Sequence, residues 1–284
     1  MTTVSTTAVA ARTRFLDVEG QQIAYRTVGE GEPLVLLHRF RASMDDWDPA
    51  LIDALSRHRQ VVLFDTIGVG ESSGATATTV EAAADVAAAV TRVLGYPTAD
   101  FLGWSLGGMV GQALALRHPD VVRKLILAGT TAPAGTSEIA ASSPEWGAVA
   151  AKATVTAEDL LYLFFTTSPA GMAAGRASLE RISARRDATQ IKTTPATMGA
   201  QYQAIVSFYK DEGSIYPALK TIAAPTLVAN GDSDGAFPPV DSIVLAREIP
   251  NATLILYPDA GHAFLFQYPQ RFTADVRTFL TVSA

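Results

Sequence analysis

The feature that most constrains this chain is a serine set between an apolar run and a helical pattern. The run Ala99–Trp104 predicts a buried strand, and the Ala- and Leu-rich segment Leu106–His118 predicts a helix. Ser105 lies between them, with Gly103 and Gly107 on either side. The spacing G-x-S-x-G is typical of a turn so sharp that its flanking positions cannot carry side chains, which presents the serine as a nucleophile. A glycine-rich turn that merely contains a serine has the same pattern, so the rest of the chain must decide.

The segments around this turn alternate between strand and helix signals. Pro33–His38 is a continuous apolar run, as expected for a strand buried on both faces of a parallel sheet. Arg14–Val28 alternates apolar and polar residues, which predicts an antiparallel hairpin. The other predicted strands are Val61–Phe64, Lys124–Ala128, Pro225–Asn230 and Thr253–Tyr257. This rhythm predicts an α/β fold, with a mainly parallel sheet of the eight-stranded type and helices on both of its faces.

The rhythm stops in the middle of the chain. From about Thr131 to Ile222 there is no strong strand signal, and helical patterns are separated by Ser, Pro and Gly. The predicted helices of this stretch are Ala157–Phe165, Pro169–Arg185 and Pro195–Lys210. We therefore predict a flexible N-terminus at residues 1–12, a core domain made of residues 13–131 and 223–284, and a helical insertion at residues 132–222.

Composition and charge exclude several functional classes. The net charge is −6 with no basic run, which disfavours binding to nucleic acid or to anionic membranes. No apolar run approaches the roughly 20 residues that cross a bilayer. Met1–Arg12 lacks the basic leader and apolar core of a secretory signal, so we expect a soluble, cytoplasmic protein.

The residue types also limit the possible chemistry. The chain has no cysteine, which removes disulfides and thiol catalysis. No spacing of His, Asp or Glu suggests a metal, and Gly103–Gly108 lacks the lysine of a phosphate-binding loop, so we expect neither a metal nor a cofactor. The expected partner is a small-molecule substrate, while the sequence leaves open whether the protein is a monomer or a homodimer.

Activating a serine requires a base within hydrogen-bond reach and a carboxylate that orients the base. Of the four histidines, His58 and His118 lie at predicted helix ends, and His38 precedes the serine in the chain. His262 lies on a loop after a late strand and is the only one that follows a suitable acid. We therefore predict His262 as the base.

Two aspartates compete for the role of the acid. Asp232 and Asp234 both follow the predicted strand Pro225–Asn230. Asp232 suits an Asx turn directly after the strand. Asp234 lies further out, where the chain can bend towards His262, and we favour it as the acid.

The order Ser105, Asp234, His262, with a helical insertion before the acid, resembles the serine hydrolase branch of the α/β-hydrolase superfamily. Four stretches match separately and in the right order: the elbow Gly103–Gly108, the loop Asp65–Ser72 (D-x-x-G-x-G-x-S), the acid loop Gly231–Pro238 (G-x-x-D-x-x-x-P) and the terminal Gly261–His262. The acid-loop match also points to Asp234. The resemblance implies that the insertion is a helical cap over the site.

The resemblance also implies an oxyanion hole of two backbone N–H groups. One belongs to Leu106, which follows the nucleophile. The other lies in the loop after the third strand, usually H-G-x, and falls on Phe40. Because Arg39 stands where the family usually has glycine, the second donor stays open between Phe40 and Arg39. Arg39 either pairs with one of the aspartates in 45–48 or faces the pocket, where it would favour an anionic or polar substrate group.

The residues around the predicted site suggest a substrate with an apolar body. We expect substrate contacts from Trp104, Arg39, His38 and Phe264, with Phe266 as the alternative to Phe264. The predicted function is hydrolysis of a carboxylic ester or lactone through an acyl-enzyme. The alternatives are a cofactor-free haloperoxidase or perhydrolase, a hydrolase that cleaves a carbon–carbon bond of a ring-cleavage diketone, and a non-catalytic ligand-binding relative.

Overall fold

The computed structural model describes residues 7–134, 138–139, 142–184 and 193–282, and one eight-stranded sheet forms its centre. The strands are β1 (Arg14–Val18), β2 (Gln21–Val28), β3 (Pro33–Leu37), β4 (Gln60–Phe64), β5 (Ala99–Trp104), β6 (Val122–Ala128), β7 (Thr226–Gly231) and β8 (Ala252–Tyr257). Their order across the sheet is β1-β2-β4-β3-β5-β6-β7-β8. β2 runs antiparallel to both of its neighbours, and all other pairs are parallel. The predicted fold class is confirmed.

The apolar run of β3 explains how the sheet divides the core into two layers. Val35 and Leu37 belong to one hydrophobic cluster, whereas Leu34 and Leu36 belong to the other. This alternation follows from the two-residue period of a strand, whose successive side chains point to opposite faces. All five residues of β3 are buried because helices cover both faces.

The helices of the core follow the strands. They are α1 (Pro49–Leu55), α2 (Val80–Val93), α3 (Leu106–Arg117), α9 (Pro239–Glu248), α10 (Phe264–Gln267) and α11 (Pro269–Thr281). Side-chain caps set the beginnings of two of them: Asp48 accepts a hydrogen bond from Ala50 N at 2.9 Å for α1, and Thr79 accepts from Ala82 N at 3.2 Å for α2. Short 3₁₀ turns at Met44–Asp46 and Leu219–Thr221 complete the described elements.

Between β6 and β7 the described residues form helices and loops. The helices are α4 (Pro144–Ala150), α5 (Ala157–Phe164), α6 (Pro169–Ser183), α7 (Pro195–Tyr209) and α8 (Ile215–Ala218). The three predicted helices correspond to α5, α6 and α7, although Arg185 lies outside the described residues. Sequence reasoning missed α4, whose beginning is set by Ser143 Oγ accepting a hydrogen bond from Trp146 N at 3.1 Å.

Charged and hydroxyl side chains fasten these helices to the core. Arg181 of α6 binds the buried Asp48 with both ends of its guanidinium group, at 2.8 and 2.6 Å. Thr166 and Ser168 donate hydrogen bonds to the two carboxylate oxygens of Asp259, at 2.9 and 2.6 Å. The inserted helices therefore contact the sheet domain near α1 and also beside the loop that carries His262.

The first twelve residues divide into two parts. Residues 1–6 of the predicted flexible N-terminus lie outside the described residues. Ala8 N donates a hydrogen bond to Asp53 Oδ1 at 2.7 Å, and Ala11 is buried. The chain is thus in contact with the core before β1 begins.

Candidate active site

Ser105 occupies a strained turn between β5 and α3. Its backbone has φ 59° and ψ −120°, a conformation that L residues rarely adopt and that needs support from the surrounding structure. A Cβ atom on Gly103 would lie 2.2 Å from Gly107 O, and one on Gly107 would lie 2.1 Å from Leu37 O. Both glycines are therefore required for packing, and the tight turn predicted from G-x-S-x-G is present.

His262 and Asp234 form a buried pair at the same edge of the sheet. His262 Nδ1 and Asp234 Oδ2 are 2.8 Å apart, and both residues are almost fully buried. The other carboxylate oxygen of Asp234 accepts hydrogen bonds from Ala236 N and Phe237 N, at 2.7 and 3.1 Å. These contacts hold the carboxylate where it can receive Nδ1–H, the tautomer in which Nε2 is an acceptor, as the predicted role of His262 requires.

Asp232, the competing aspartate, lies elsewhere. It is exposed and accepts hydrogen bonds from Ser233 Oγ at 2.9 Å and from Ala260 N at 3.4 Å. The predicted Asx turn is formed by Asp234 instead, whose Oδ1 accepts from Ala236 N two residues on, whereas the contact with Ala260 N joins Asp232 to the loop that carries His262. Of the two aspartates, Asp234 is the one that reaches His262.

Contacts from β5 and β6 join the turn at Ser105 to the His–Asp pair. Trp104, next to the serine, donates from its indole N–H to His262 O at 3.0 Å. Thr130 Oγ1 donates to Ser105 O at 2.8 Å. Gly129 lies beneath the pair, since a Cβ atom there would be 3.3 Å from His262 Nδ1 and 3.5 Å from Asp234 Oδ2. The three predicted catalytic residues thus lie together at the carboxyl edge of the sheet.

Four aromatic rings surround His262. Phe164 lies nearly parallel to the imidazole, with 5.7 Å between ring centroids and 16° between planes. Trp104, Phe237 and Trp146 have ring centroids 5.7, 5.5 and 6.2 Å from that of His262. Phe164 and Trp146 belong to the inserted helices. The rings leave His262 only 2% exposed, so water has little access to the base.

The inserted helices also contact the backbone of the histidine loop. Ala263 N, directly after His262, donates to Phe164 O at 2.8 Å. A Cβ atom on Gly261 would lie 2.8 Å from the same carbonyl oxygen. Phe164 therefore contacts the histidine loop through both its ring and its main chain. The sequence shows Phe164 as one of several aromatic residues in the insertion, with no signal that separates it from the others.

Two of the expected substrate contacts take other roles in the structure. His38 accepts a hydrogen bond from Trp47 Nε1 at 2.7 Å on its Nδ1 and donates from Nε2 to Phe64 O. Burial lowers the pKa of His38 to about 4, so its ring is neutral and both nitrogens are occupied. Phe264 is fully buried and stacks on Tyr257 with 4.9 Å between centroids, which makes it part of the core rather than of a pocket wall.

Phe266, the alternative to Phe264, supports Trp104. The two ring centroids are 4.8 Å apart in an edge-to-face arrangement. Trp104 is itself 2% exposed. Phe266 therefore packs against Trp104, and Trp104 in turn contacts His262.

Arg39 pairs with a nearby aspartate and also packs on aromatic rings. Its guanidinium group lies 3.1 Å from Asp46 Oδ1 and donates to Phe40 O at 2.8 Å. The same group lies 4.8 Å from the centroid of Phe164 and 5.6 Å from that of Trp104. These distances are those of cation–π contacts. Arg39 is therefore paired with Asp46, the first of the two alternatives, and its guanidinium group also packs on two rings that contact His262.

The loop after β3 has its left-handed residue at position 41 and not at position 39, where the family usually has glycine. Arg39 is absent from the positive-φ residues of the described chain, whereas Arg41 has φ 61°. The substitution of the usual glycine by Arg39 therefore needs no unusual backbone at residue 39. The left-handed position of the loop lies two residues later, which sequence reasoning missed.

Asp65 joins this loop to the one after β4. Its two carboxylate oxygens accept hydrogen bonds from Met44 N at 2.7 Å and Glu71 N at 3.0 Å. Its own carbonyl accepts from Ser72 Oγ at 2.6 Å. Burial raises the pKa of Asp65 to about 6. The first and last residues of the D-x-x-G-x-G-x-S match thus hold the loops that flank the site.

Two cavities reach this region. One of about 400 Å³ is bordered by His262 and by aromatic and aliphatic residues of the inserted helices, among them Trp146, Tyr162, Leu163 and Phe165. A smaller cavity of about 50 Å³ is bordered by Leu106, Gly107 and His38, and by Gln201 and Ala204 of α7. Ser105 is 7% exposed and borders neither of these two cavities, whereas its neighbours Leu106 and Gly107 border the smaller one. Within the described ranges, no group of three His, Asp or Glu side chains could hold a metal ion.

Comparison with known proteins agrees with this architecture. Residues 32–269 match the family model of the alpha/beta hydrolase fold, and the chain belongs to that family. It is an α/β-fold hydrolase. No helix of the described residues has the length and apolarity needed to cross a membrane.

The similar proteins are hydrolases and a haloperoxidase. The chain is 28% identical to a pimeloyl-[acyl-carrier protein] methyl ester esterase of Nitrosospira multiformis over 92% of this chain and 99% of that protein. It is 29% identical to a non-heme haloperoxidase of Rhodococcus erythropolis, over 92% and 97% of the two chains.

Two solved structures are also similar over nearly their whole length. An alpha/beta hydrolase fold protein from Chitinophaga pinensis has a TM-score of 0.88 and 33% identity, covering 98% of this chain and 100% of that one. An enol-lactonase from Burkholderia xenovorans has a TM-score of 0.74 and 26% identity, covering 95% and 100%.

Proposed function

We propose that the protein hydrolyses a carboxylic ester or lactone through a Ser105–His262–Asp234 triad. The observation that carries this proposal is the 2.8 Å contact between His262 Nδ1 and Asp234 Oδ2, placed beside a serine held in a strained turn. A buried, oriented imidazole next to a presented hydroxyl is the arrangement that activates a serine. The helical insertion at residues 132–222 would act as the cap of the site.

The reaction would proceed in two acyl-transfer steps. Ser105 Oγ attacks the carbonyl carbon while its proton passes to His262 Nε2, and Asp234 stabilises the imidazolium that forms. The oxyanion is bound by Leu106 N–H, one of the first-turn donors of α3 that have no partner within the helix, and by Phe40 N–H. The carbon–oxygen bond to the leaving group then breaks as Nε2 returns the proton to that oxygen. Water repeats the sequence on the acyl-enzyme and releases the acid.

The substrate would be a small molecule with an apolar body. Aromatic and aliphatic side chains border the cavity of about 400 Å³ beside His262, which favours apolar groups over charged ones. The names of the methyl ester esterase and the enol-lactonase support ester or lactone bonds as the reacting group. Arg39 is already paired with Asp46, which argues against the idea that it selects an anionic substrate.

Peracid formation and halogenation are the second candidate. The likeness to the haloperoxidase of Rhodococcus erythropolis favours it, because the same acyl-enzyme could react with hydrogen peroxide in place of water. Carbon–carbon bond hydrolysis has no comparable support, since one similar solved structure, of a meta-cleavage product hydrolase, is 20% identical to this chain and indicates the fold alone. The buried His–Asp pair argues against a non-catalytic ligand-binding protein.

The proposal is tested by measuring turnover across a panel of esters and lactones, with and without hydrogen peroxide, using Ser105→Ala as the blank. We expect ester or lactone hydrolysis by the wild type and labelling of Ser105 by a fluorophosphonate. Peroxide-dependent peracid formation without hydrolysis would select the second candidate. If Ser105→Ala turned over as fast as the wild type, or the wild type resisted the label, the triad would be excluded.

A further inference from the structure

The loop that carries Phe40 contains a turn closed by residues of the insertion. Ala42 N donates to Arg39 O at 3.3 Å, so residues 39–42 form a four-residue turn. Arg41 occupies its third position with φ 61°, where turns of this kind favour glycine or asparagine. A branched, charged residue stays in this conformation only where other contacts hold it there.

Those contacts come from the insertion. Arg41 N donates to Gln201 Oε1 of α7 at 2.9 Å, and Arg41 O accepts from Thr193 Oγ1 at 2.9 Å. The guanidinium group donates to the carbonyl oxygens of Lys152 at 2.7 Å, Ala153 at 3.1 Å and Ala150 at 3.3 Å. These carbonyls lie at and just after the C-terminal end of α4, where a cation is favoured. Main chain and side chain of Arg41 thus bind two separate parts of the insertion.

The same contacts reach the proposed oxyanion donor through one peptide group. The peptide between Phe40 and Arg41 is planar, so its carbonyl and its N–H turn together. Arg39 holds the carbonyl from the core side at 2.8 Å, and Gln201 holds the N–H from the insertion side at 2.9 Å. This peptide directly follows Phe40, so its two hydrogen bonds restrain the backbone of Phe40, whose own N–H is the proposed second donor.

We infer that Arg41 is a positioning residue that completes the oxyanion hole only when the inserted helices are seated on the core. With them seated, Gln201, Thr193 and the end of α4 hold Arg41 in the left-handed region and Phe40 N–H in place. When they lift, Arg41 relaxes to a negative φ and the donor turns away. This inference rests on the proposed function, because Phe40 has a role only in acyl transfer.

A consequence concerns which substrates are turned over quickly. A substrate large enough to contact both the core and the inserted helices favours the seated state and therefore the complete oxyanion hole. A shorter ester that leaves the helices free would bind and react with a lower kcat. Arg41 would in this way connect substrate size to the chemical step rather than to binding alone.

The experiment compares three variants with a matched control. Arg41→Ala removes the guanidinium group but keeps a Cβ atom that disfavours the left-handed backbone, Arg41→Lys keeps a cation, and Thr193→Val removes only the hydroxyl that binds Arg41 O. Arg92→Ala is the control, because Arg92 pairs with Asp120 at the surface and touches none of these contacts. Thermal unfolding of each variant shows that it is folded.

We expect Arg41→Ala to lower kcat on the order of 10²-fold with little change in KM, as for loss of one oxyanion donor. Its affinity for a boronic acid analogue of the tetrahedral state should fall in parallel, with Arg41→Lys intermediate and Thr193→Val affected less. Unchanged kcat in Arg41→Ala, or a rise in KM alone, would overturn the inference. Failure of the wild type to react with a fluorophosphonate would instead overturn the proposed function, so the two failures are distinguishable.

Discussion

Phe164 and His262 lie ring against ring, 5.7 Å apart and 16° from parallel, although they are separated by almost a hundred residues in the chain. The carbonyl of Phe164 also accepts the N–H of Ala263, so one residue of the insertion contacts both the proposed base and the backbone beside it. The insertion is thus part of the environment of the proposed base.

Removal of the Phe164 ring should slow the chemical step. Phe164→Ala keeps the carbonyl that binds Ala263 N but lets the imidazole turn and admits water. We expect kcat to fall about 10- to 100-fold, since small misplacements of a catalytic group have effects of this size. Steady-state kinetics measure it, with Tyr202→Ala as the control because Tyr202 is a 61% exposed aromatic residue of α7. A rise in KM at unchanged kcat would assign Phe164 to substrate binding only.

The triad residues should differ in the size of their effects. Ser105→Ala is expected to lower kcat on the order of 10⁶-fold and Asp234→Asn roughly 10⁴-fold, because the latter keeps the geometry but disturbs the imidazole tautomer. Asp232→Asn is the matched control, since Asp232 is exposed and makes no contact with His262. Equal losses for the two aspartate variants would contradict the assignment of Asp234 as the acid.

The elbow glycines should be intolerant of a single methyl group. In Gly103→Ala the new Cβ atom would lie 2.2 Å from Gly107 O, which nothing flexible can relieve. We expect a loss of more than about 3 kcal/mol in the free energy of unfolding, or failure to fold. Gly199→Ala is the control, because that position in α7 is open and the helix should gain about 0.5–1 kcal/mol. Thermal and urea unfolding distinguish the two, and equal unfolding free energies would refute the packing argument.

His38 should contribute to the acid sensitivity of the fold. Burial lowers its pKa from 6.5 to about 4, so between these values the unfolded chain binds a proton that the folded chain does not. Stability from this group is complete above pH 6.5 and is lost as the pH falls towards 4. From pH 7 to pH 5 the wild type should lose about 2 kcal/mol more than His38→Gln, which can still donate to Phe64 O.

Urea titrations at the two pH values measure this difference. Asp65, whose pKa burial raises to about 6, acts in the opposite direction below pH 6, but it is present in both proteins and cancels in the comparison. His58→Gln, at an exposed position, should follow the wild type. Parallel pH dependences of the wild type and His38→Gln would contradict the assignment of His38 as a buried neutral ring.

The sequence predicts the sheet and the meeting of Ser105, Asp234 and His262 because both depend on local patterns. Apolar runs of strand length define a parallel sheet, and residues that follow such strands gather at one edge. The choice of Asp234 over Asp232 also follows from its distance beyond the strand.

Other parts of the site depend on contacts that no local pattern records. Phe264 and Phe266 are two residues apart on one helix. Phe264 nevertheless packs on Tyr257 in the core, whereas Phe266 packs against Trp104. Arg41 is followed and preceded by ordinary loop residues, and its left-handed backbone is held by Gln201, which lies 160 residues later. The residues around Arg41 and those around Gln201 form no local sequence pattern that would indicate this long-range hydrogen bond.

The contacts of the insertion with the core have a consequence for enzyme engineering. Exchanging residues 132–222 for the corresponding segment of a relative would transfer its substrate cavity, but it would also remove the Phe164 carbonyl, the Gln201 amide and the carbonyls that receive Arg41. The grafted segment would therefore need equivalent hydrogen-bond acceptors in each of these three places. Without them, the new substrate would bind but would be turned over with a low kcat.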